Sequence, residues 1–156
     1  MKQSPNARHR GEVKKLNHET PLWVRESEEI FFITICCRDR GGNQLARSPI
    51  ADRLVDSVVF RNESGVWWCS CFVVMPDHVH ALIQFSGELP MERAVRAWKS
   101  WTAKQLGIAW QRGWFDHRLR RDESWREKAA YLLNNPVRSG LVDDAGDWAW
   151  IFSCER

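Results

Sequence analysis

Long apolar runs are missing from this chain. No stretch approaches the roughly 18 residues of a membrane-spanning helix, so a helical membrane anchor is excluded as a reading. Internal repeats and low-complexity segments are also missing, which argues against solenoids and linker-like sequences. The chain has 156 residues, too few for the roughly 200 of a (β/α)8 barrel. Its five cysteines are an odd number, with Cys36 beside Cys37 and Cys69 two residues from Cys71. That is a poor disulfide framework and suits reduced thiols. The first residues, MKQSPNARHRGEVKK, are polar and basic and lack the apolar core of a signal peptide. The expectation is a soluble, cytoplasmic, single-domain protein with no membrane partner. Tyrosine is nearly missing too: Tyr131 stands alone beside ten tryptophans and seven phenylalanines.

What is present is an ordinary globular composition, 44% hydrophobic and 28% charged, with charge unevenly placed. The net charge is only +3, but residues 1–25 carry +4 and residues 91–128 carry +5. The intervening and final segments are acidic. A basic arm over 1–25, expected to be flexible, and a basic middle segment make a modest footprint for a polyanion. Solvated helix faces account for charge alone equally well.

Periodicity predicts the elements. Ile30–Cys37 and Val66–Val74 are rich in β-branched and aromatic residues and read as strands. Gly41-Gly42 marks a turn or loop between them. Pro49–Asn62 has Ile50, Leu54, Val58 and Val59 at helical spacing. Met75-Pro76-Asp77 turns the chain into a third strand, His78–Phe85, whose alternation puts His78, His80, Leu82 and Gln84 on one face. Pro90–Ile108 reads as a helix with Met91, Ala94, Val95, Trp98, Trp101, Thr102, Gln105 and Leu106 inward. Its Arg93, Arg96, Lys99 and Lys104 point outward. Gly113–Leu119 reads as a short fourth strand. Ser124-x-x-Glu127 is a capping box that starts a last helix, which runs to about Asn134 because Pro136 follows. The order predicts an α+β fold: a ferredoxin-like or RRM-like four-stranded antiparallel sheet with helices on one face, plus a C-terminal helix carrying the tyrosine. The whole of 26–156 is expected to form one domain.

His78-Val79-His80 carries the sharpest chemistry. Two histidines two apart on a strand point the same way, as two imidazoles on one divalent metal must. Wet sheet-face histidines show the same spacing. Tyr131 and Asn135 are four apart, so on a helix they share a face. An amide oxygen with two imidazoles would leave positions open on Mg²⁺ or Mn²⁺ for substrate oxygens. Plainer roles are a half-buried aromatic for Tyr131 and a helix-terminal residue for Asn135.

The segments VVMPDHVHALI, WQRGWFDHRLR and AAYLLNNPVRSGLV, in this order, closely resemble the single-tyrosine HUH transposases, and among them the REP-associated tyrosine transposases. The resemblance covers roughly 30–142. It implies that His78 and His80 are the metal-binding histidines of the HUH motif, Tyr131 the nucleophile and Asn135 a third metal ligand. Asp116, His117 and Arg120 match a family segment of no assigned role. Asp77 stands where the family often has Asn, and Ser139 where it often has Ala; neither belongs to the expected catalytic set. The implied activity is metal-dependent cleavage and rejoining of single-stranded DNA beside hairpins, through a 5′-phosphotyrosine. It implies a nucleoid-associated protein, monomer or homodimer. Candidate DNA contacts are Arg93, Arg96, Lys99, Lys104, Arg118, Arg120, Arg121 and Arg138, with Arg8, Arg10, Lys14 and Lys15 in the arm.

Two other readings compete. Cys69 and Cys71 with His78 and His80 offer four zinc ligands, though without the usual finger spacing. A non-catalytic or domesticated hairpin-binding module needs neither metal nor Tyr131. No RNP-type aromatic pattern supports RRM-style binding.

Overall fold

Alternation decides which way each strand faces. In β1, Phe31–Cys36, the residues Phe31, Ile33 and Ile35 are buried while Phe32, Thr34 and Cys36 are half-buried. In β3, His78–Phe85, Val79, Ala81, Ile83 and Phe85 join the same core. His78, His80, Leu82 and Gln84 face the other way, as their spacing predicts. These features come from a computed structural model that describes residues 25–154. The basic arm, apart from Arg25, lies outside the described residues.

Between and after these strands the chain forms α1 (Ile50–Glu63), β2 (Trp67–Val74), α2 (Met91–Leu106), β4 (Phe115–Arg118), α3 (Trp125–Leu133), α4 (Asn135–Arg138) and β5 (Ile151–Ser153). The sheet order is β4-β1-β3-β2-β5, and every pairing is antiparallel. The first four strands with α1 and α2 reproduce the expected ferredoxin-like plan. The expectation of four strands falls short by one. β5 adds to the outer edge of β2, with Val73 opposite Ile151 and Cys71 opposite Ser153. Three residues are too few to show a period.

The two faces are covered differently. α1 and α2 pack on the face of Phe31, Ile33, Val79 and Ile83, around Trp98. The Trp98 indole, 2% exposed, donates to Ser57 Oγ at 2.8 Å, so its one polar atom is satisfied inside the core. α3 takes the opposite face. Its Ala129 and Leu132 pack with Cys71, Val73, Met75 and Leu82. Helices therefore lie on both faces, with α3 alone on the histidine side. Trp125 anchors α3 by donating to Ser70 Oγ at 2.9 Å. The predicted cap is in place: Ser124 Oγ accepts from the Glu127 N–H at 3.4 Å.

β2 contains an irregularity with chemical consequences. Cys69 opposes Ile83 and Cys71 opposes Leu82, so one extra residue is inserted at Ser70. Such a bulge turns the next residue to the other face. Cys69 joins the α1/α2 core and Cys71 the α3 core.

Candidate active site

The β2–β3 turn is held before the histidines begin. Gln44 and Leu45 N–H groups both donate to the Pro76 carbonyl, and Cys37 N–H donates to that of Asp77. Asp77, only 8% exposed, reaches three partners. One carboxylate oxygen sits 2.7 Å from His78 Nδ1. The other accepts from Gly41 N–H at 2.8 Å and forms an ion pair with Arg40 Nε at 3.0 Å. Burial alone would raise the Asp77 pKa. The Gly41 and His78 hydrogen bonds and the Arg40 charge outweigh it and hold the carboxyl below its usual range. An ionised carboxylate only accepts, so His78 Nδ1 carries a proton there, and Nε2 is the ring nitrogen turned toward His80. Asp77 was expected to stand apart from the catalytic groups. The structure corrects that: it orients one of them directly.

His80 is fixed from the other side. Its Nδ1 lies 2.8 Å from Thr34 Oγ1 on β1, and its ring stacks on Phe32 with centroids 5.5 Å apart. Burial, with the neighbouring His78 and Arg40 charges, pushes its pKa down to about 3, so the imidazole is neutral at ordinary pH. The two Nε2 atoms face each other at 3.1 Å. Thr34 suits either tautomer. Accepting from Nδ1–H, it leaves His80 Nε2 a lone pair; donating to Nδ1, it lets Nε2–H donate to His78.

This arrangement fits the expected divalent ion. Two imidazole nitrogens 3.1 Å apart are spaced as adjacent ligands about 2.1 Å from one ion. Each ring is oriented through its other nitrogen, by a carboxylate or a hydroxyl, as metal-ligating histidines usually are. Among the described residues, no group of three or more His, Cys, Asp or Glu side chains is placed to hold a metal. The zinc reading fails on the bulge, which sends Cys69 and Cys71 to opposite faces. Burial also pushes the Cys71 thiol up to about 12 and the Cys69 thiol well up, away from the thiolate zinc needs.

Tyr131 sits on α3, the helix packed on the histidine face, and is 50% exposed. The Arg138 guanidinium lies over its ring, 4.1 Å from the centroid. No hydrogen bond or ring contact among the described residues joins Tyr131 or Asn135 to either histidine. Asn135 was expected in the last turn of the tyrosine helix. Instead α3 ends at Leu133, and Asn135 begins α4 with Pro136 just inside its start. Proline has no N–H to continue the α3 ladder, yet loses nothing in a new first turn.

The basic residues divide. Lys99 was expected on the outer face of α2, but it is 8% exposed. Its Nζ donates to the carbonyls of Gln111, Arg112 and Gly113 at 2.8, 3.2 and 3.0 Å and lies over the Trp114 ring. It ties α2 to the loop before β4 and is not available to DNA. A wheel misses this because a long stem lets the charge reach a carbonyl cluster beside the core. Trp101, expected inward, is 37% exposed and carries the Arg61 guanidinium over its ring. Arg93, Arg96 and Lys104 are exposed, but α2 lies across the sheet from the histidines. Arg96 pairs with Glu92. Arg118 faces Glu29 at 3.8 Å, and Arg120 and Arg121 are exposed at the turn before α3. His117 is engaged by Glu123, whose carboxylate also accepts Arg120 N–H and Lys128 Nζ. Arg40, passed over in the sequence, is tied to the histidine pair through Asp77. Its signal was its place beside Gly41-Gly42, visible only once that loop meets the β2–β3 turn.

Fold and histidine pair together define a class: a ferredoxin-like α+β domain with paired strand histidines on the sheet face where a tyrosine-bearing helix packs. No protein-family model matches the chain. An uncharacterized Haemophilus influenzae protein is 24% identical over 154 residues, spanning 71% of this chain and 82% of its own length. An Escherichia coli K12 protein named REP-associated tyrosine transposase is 27% identical over 82 residues, 51% of this chain. That match spans half of the E. coli protein. Among solved structures, one described as a REP-associated tyrosine transposase bound to a REP hairpin has the same fold. Its TM-score is 0.70 at 20% identity, covering 87% of this chain and 82% of that one. The chain is related to the REP-associated tyrosine transposases, and the resemblance read from its motifs holds.

Proposed function

We propose that this chain is a metal-dependent single-stranded DNA endonuclease and strand transferase, acting at hairpin-bearing DNA through a 5′-phosphotyrosine. The observation that carries this is the pair of facing Nε2 atoms, 3.1 Å apart, on the sheet face where the helix of the single tyrosine packs. The hairpin preference rests on the relatives.

His78 and His80 would hold the ion, with Asn135 as the third protein donor. When bound, Mg²⁺ or Mn²⁺ supplies positive charge that offsets the anionic oxygens of the scissile phosphate. The chain's residues do the rest. Asp77 and Thr34 keep both imidazoles aimed at one point. Leu132, fully buried, docks α3 so that the adjacent Tyr131 is presented from a fixed helix. Tyr131 Oη attacks phosphorus and gives its proton to solvent, the bond to the 3′ oxygen breaks, and that oxygen takes a proton from solvent and departs as a free 3′-hydroxyl. A second 3′-hydroxyl reverses the step onto another strand, because the phosphotyrosine conserves the ester. Arg138 places a guanidinium beside the nucleophile, where an incoming phosphate gains charge-assisted contacts.

One observation favours the second reading, a binding module without catalysis: Tyr131 lies under Arg138 with no hydrogen bond to the histidines. A single experiment separates the two. Protein is incubated with Mn²⁺ and hairpin DNA bearing single-stranded flanks, taken from beside its own coding sequence. Catalysis gives an SDS-resistant adduct that Tyr131→Phe abolishes while binding persists. Binding without an adduct in either protein selects the module.

A further inference from the structure

Four aromatic rings run across the histidine face from the sheet edge to the paired imidazoles. Phe115 on β4 meets Phe32 edge-on, with centroids 6.3 Å apart. Phe32 stacks on His80, and His80 meets His78 at 4.7 Å. Register sets this row: Thr34, which holds His80, opposes Phe115 on one side and His80 on the other. α3 covers the β2–β3 half of the face through Cys71, Val73 and Leu82. Phe32 of β1 and Leu119, just after β4, also pack with that cluster, but among the described residues Phe115 does not join it and is 52% exposed. A large apolar ring on an edge strand costs solubility and invites strand pairing, so its presence calls for an occupant.

The geometry points to Phe115 as a stacking platform for an unpaired DNA base, that of the nucleotide beside the phosphate held at the histidines. This rests on the proposed single-strand chemistry. Adjacent strands are about 4.8 Å apart, so Phe115 lies roughly 10 Å from His80, two strands over. That is within reach of a base whose neighbouring phosphate sits at the imidazoles. A phenyl face accepts any base, so the platform grips the strand without reading sequence. Exposed Arg120 and Arg121 follow β4 closely and suit the flanking phosphates.

The test uses full-length protein and a hairpin oligonucleotide with a short single-stranded flank, carrying 2-aminopurine at successive flank positions. Wild type should quench the fluorophore most strongly at one position. Phe115→Ala should lose that quench and bind roughly fivefold to a hundredfold more weakly. Phe115→Trp should retain both, and Phe115→Leu, which keeps bulk without the π face, should behave like Ala. Unchanged circular dichroism confirms that the variants fold. An abasic site at the quenched position should weaken wild type and leave Phe115→Ala nearly unaffected. If wild type binds and forms the tyrosine adduct while Phe115→Ala does so equally, the platform is overturned and the proposed activity stands. If Phe115→Ala changes only the oligomeric state, the ring serves a second copy of the chain, and the inference also falls. If wild type neither binds nor reacts, both fall together.

Discussion

Removing Asp77 should loosen the proposed metal site. The carboxylate is 8% exposed and joins His78 Nδ1, Gly41 N–H and Arg40 Nε at 2.7, 2.8 and 3.0 Å. Asp77→Ala frees the His78 ring to rotate and leaves the Gly41 N–H without its acceptor. Loss of such an outer partner typically lowers metal affinity about 10- to 100-fold. Hydrogen bonds to charged groups contribute about 1.5–3 kcal/mol each, so losing two predicts roughly 3–6 kcal/mol of stability. Asp77→Asn keeps one acceptor oxygen for His78, but its amide NH2 is a donor and cannot accept from Gly41 N–H or pair with Arg40 Nε. It should lose little metal affinity and about half as much stability. Because folding lowers the Asp77 pKa, its contribution is present above the ordinary carboxylate range. It is lost as pH falls through the folded value, and Asp77→Asn should flatten that limb. Manganese titration by calorimetry and urea unfolding measure the two quantities. Wild-type manganese affinity in Asp77→Ala would refute the claim that this carboxylate orients His78.

Other expectations follow from single contacts. Leu132→Ala removes the fully buried side chain that docks α3; urea unfolding should show a loss of about 2–5 kcal/mol, and adduct formation should slow more than DNA binding weakens. Lys99→Met should lower the thermal midpoint by orphaning three carbonyls, without changing the salt dependence of DNA binding. An altered salt slope would return Lys99 to the DNA-binding set. Glu123 is drawn down to about 2 by the Arg120 N–H, His117 and Lys128, so it stabilises above the ordinary glutamate range and ceases to as pH falls toward that value. Glu123→Gln should flatten the acid limb of the thermal midpoint against pH.

Much of the candidate site was legible because strand period alone dictates it. His78 and His80 share a face in any structure in which this segment is extended, and Ser124 with Glu127 starts a helix wherever it falls. The family motifs then linked Tyr131 and Asn135 to that pair. The Asp77 clamp was not legible, since Gly41 and Arg40 lie far along the chain and meet the turn only after β1 and β3 pair. Lys99 was misplaced because a helical wheel assigns charge outward, whereas a lysine stem can lead its ammonium to buried carbonyls.

Local rules determined the type and order of the elements from β1 to α3 and the shared face of His78 and His80, because backbone sterics and side-chain alternation act over a few residues. Only tertiary structure decided the rest. The bulge at Ser70 separates Cys69 from Cys71. β5 is too short to hold except against an existing edge. α3 settles on the histidine face because Leu132 and Ala129 find Cys71, Val73 and Leu82 there. Phe115 stands open beside Phe32 because the cluster that α3 builds on that face takes in Phe32 and Leu119 but not Phe115. Each outcome depends on contacts between residues remote in sequence, which no local period encodes.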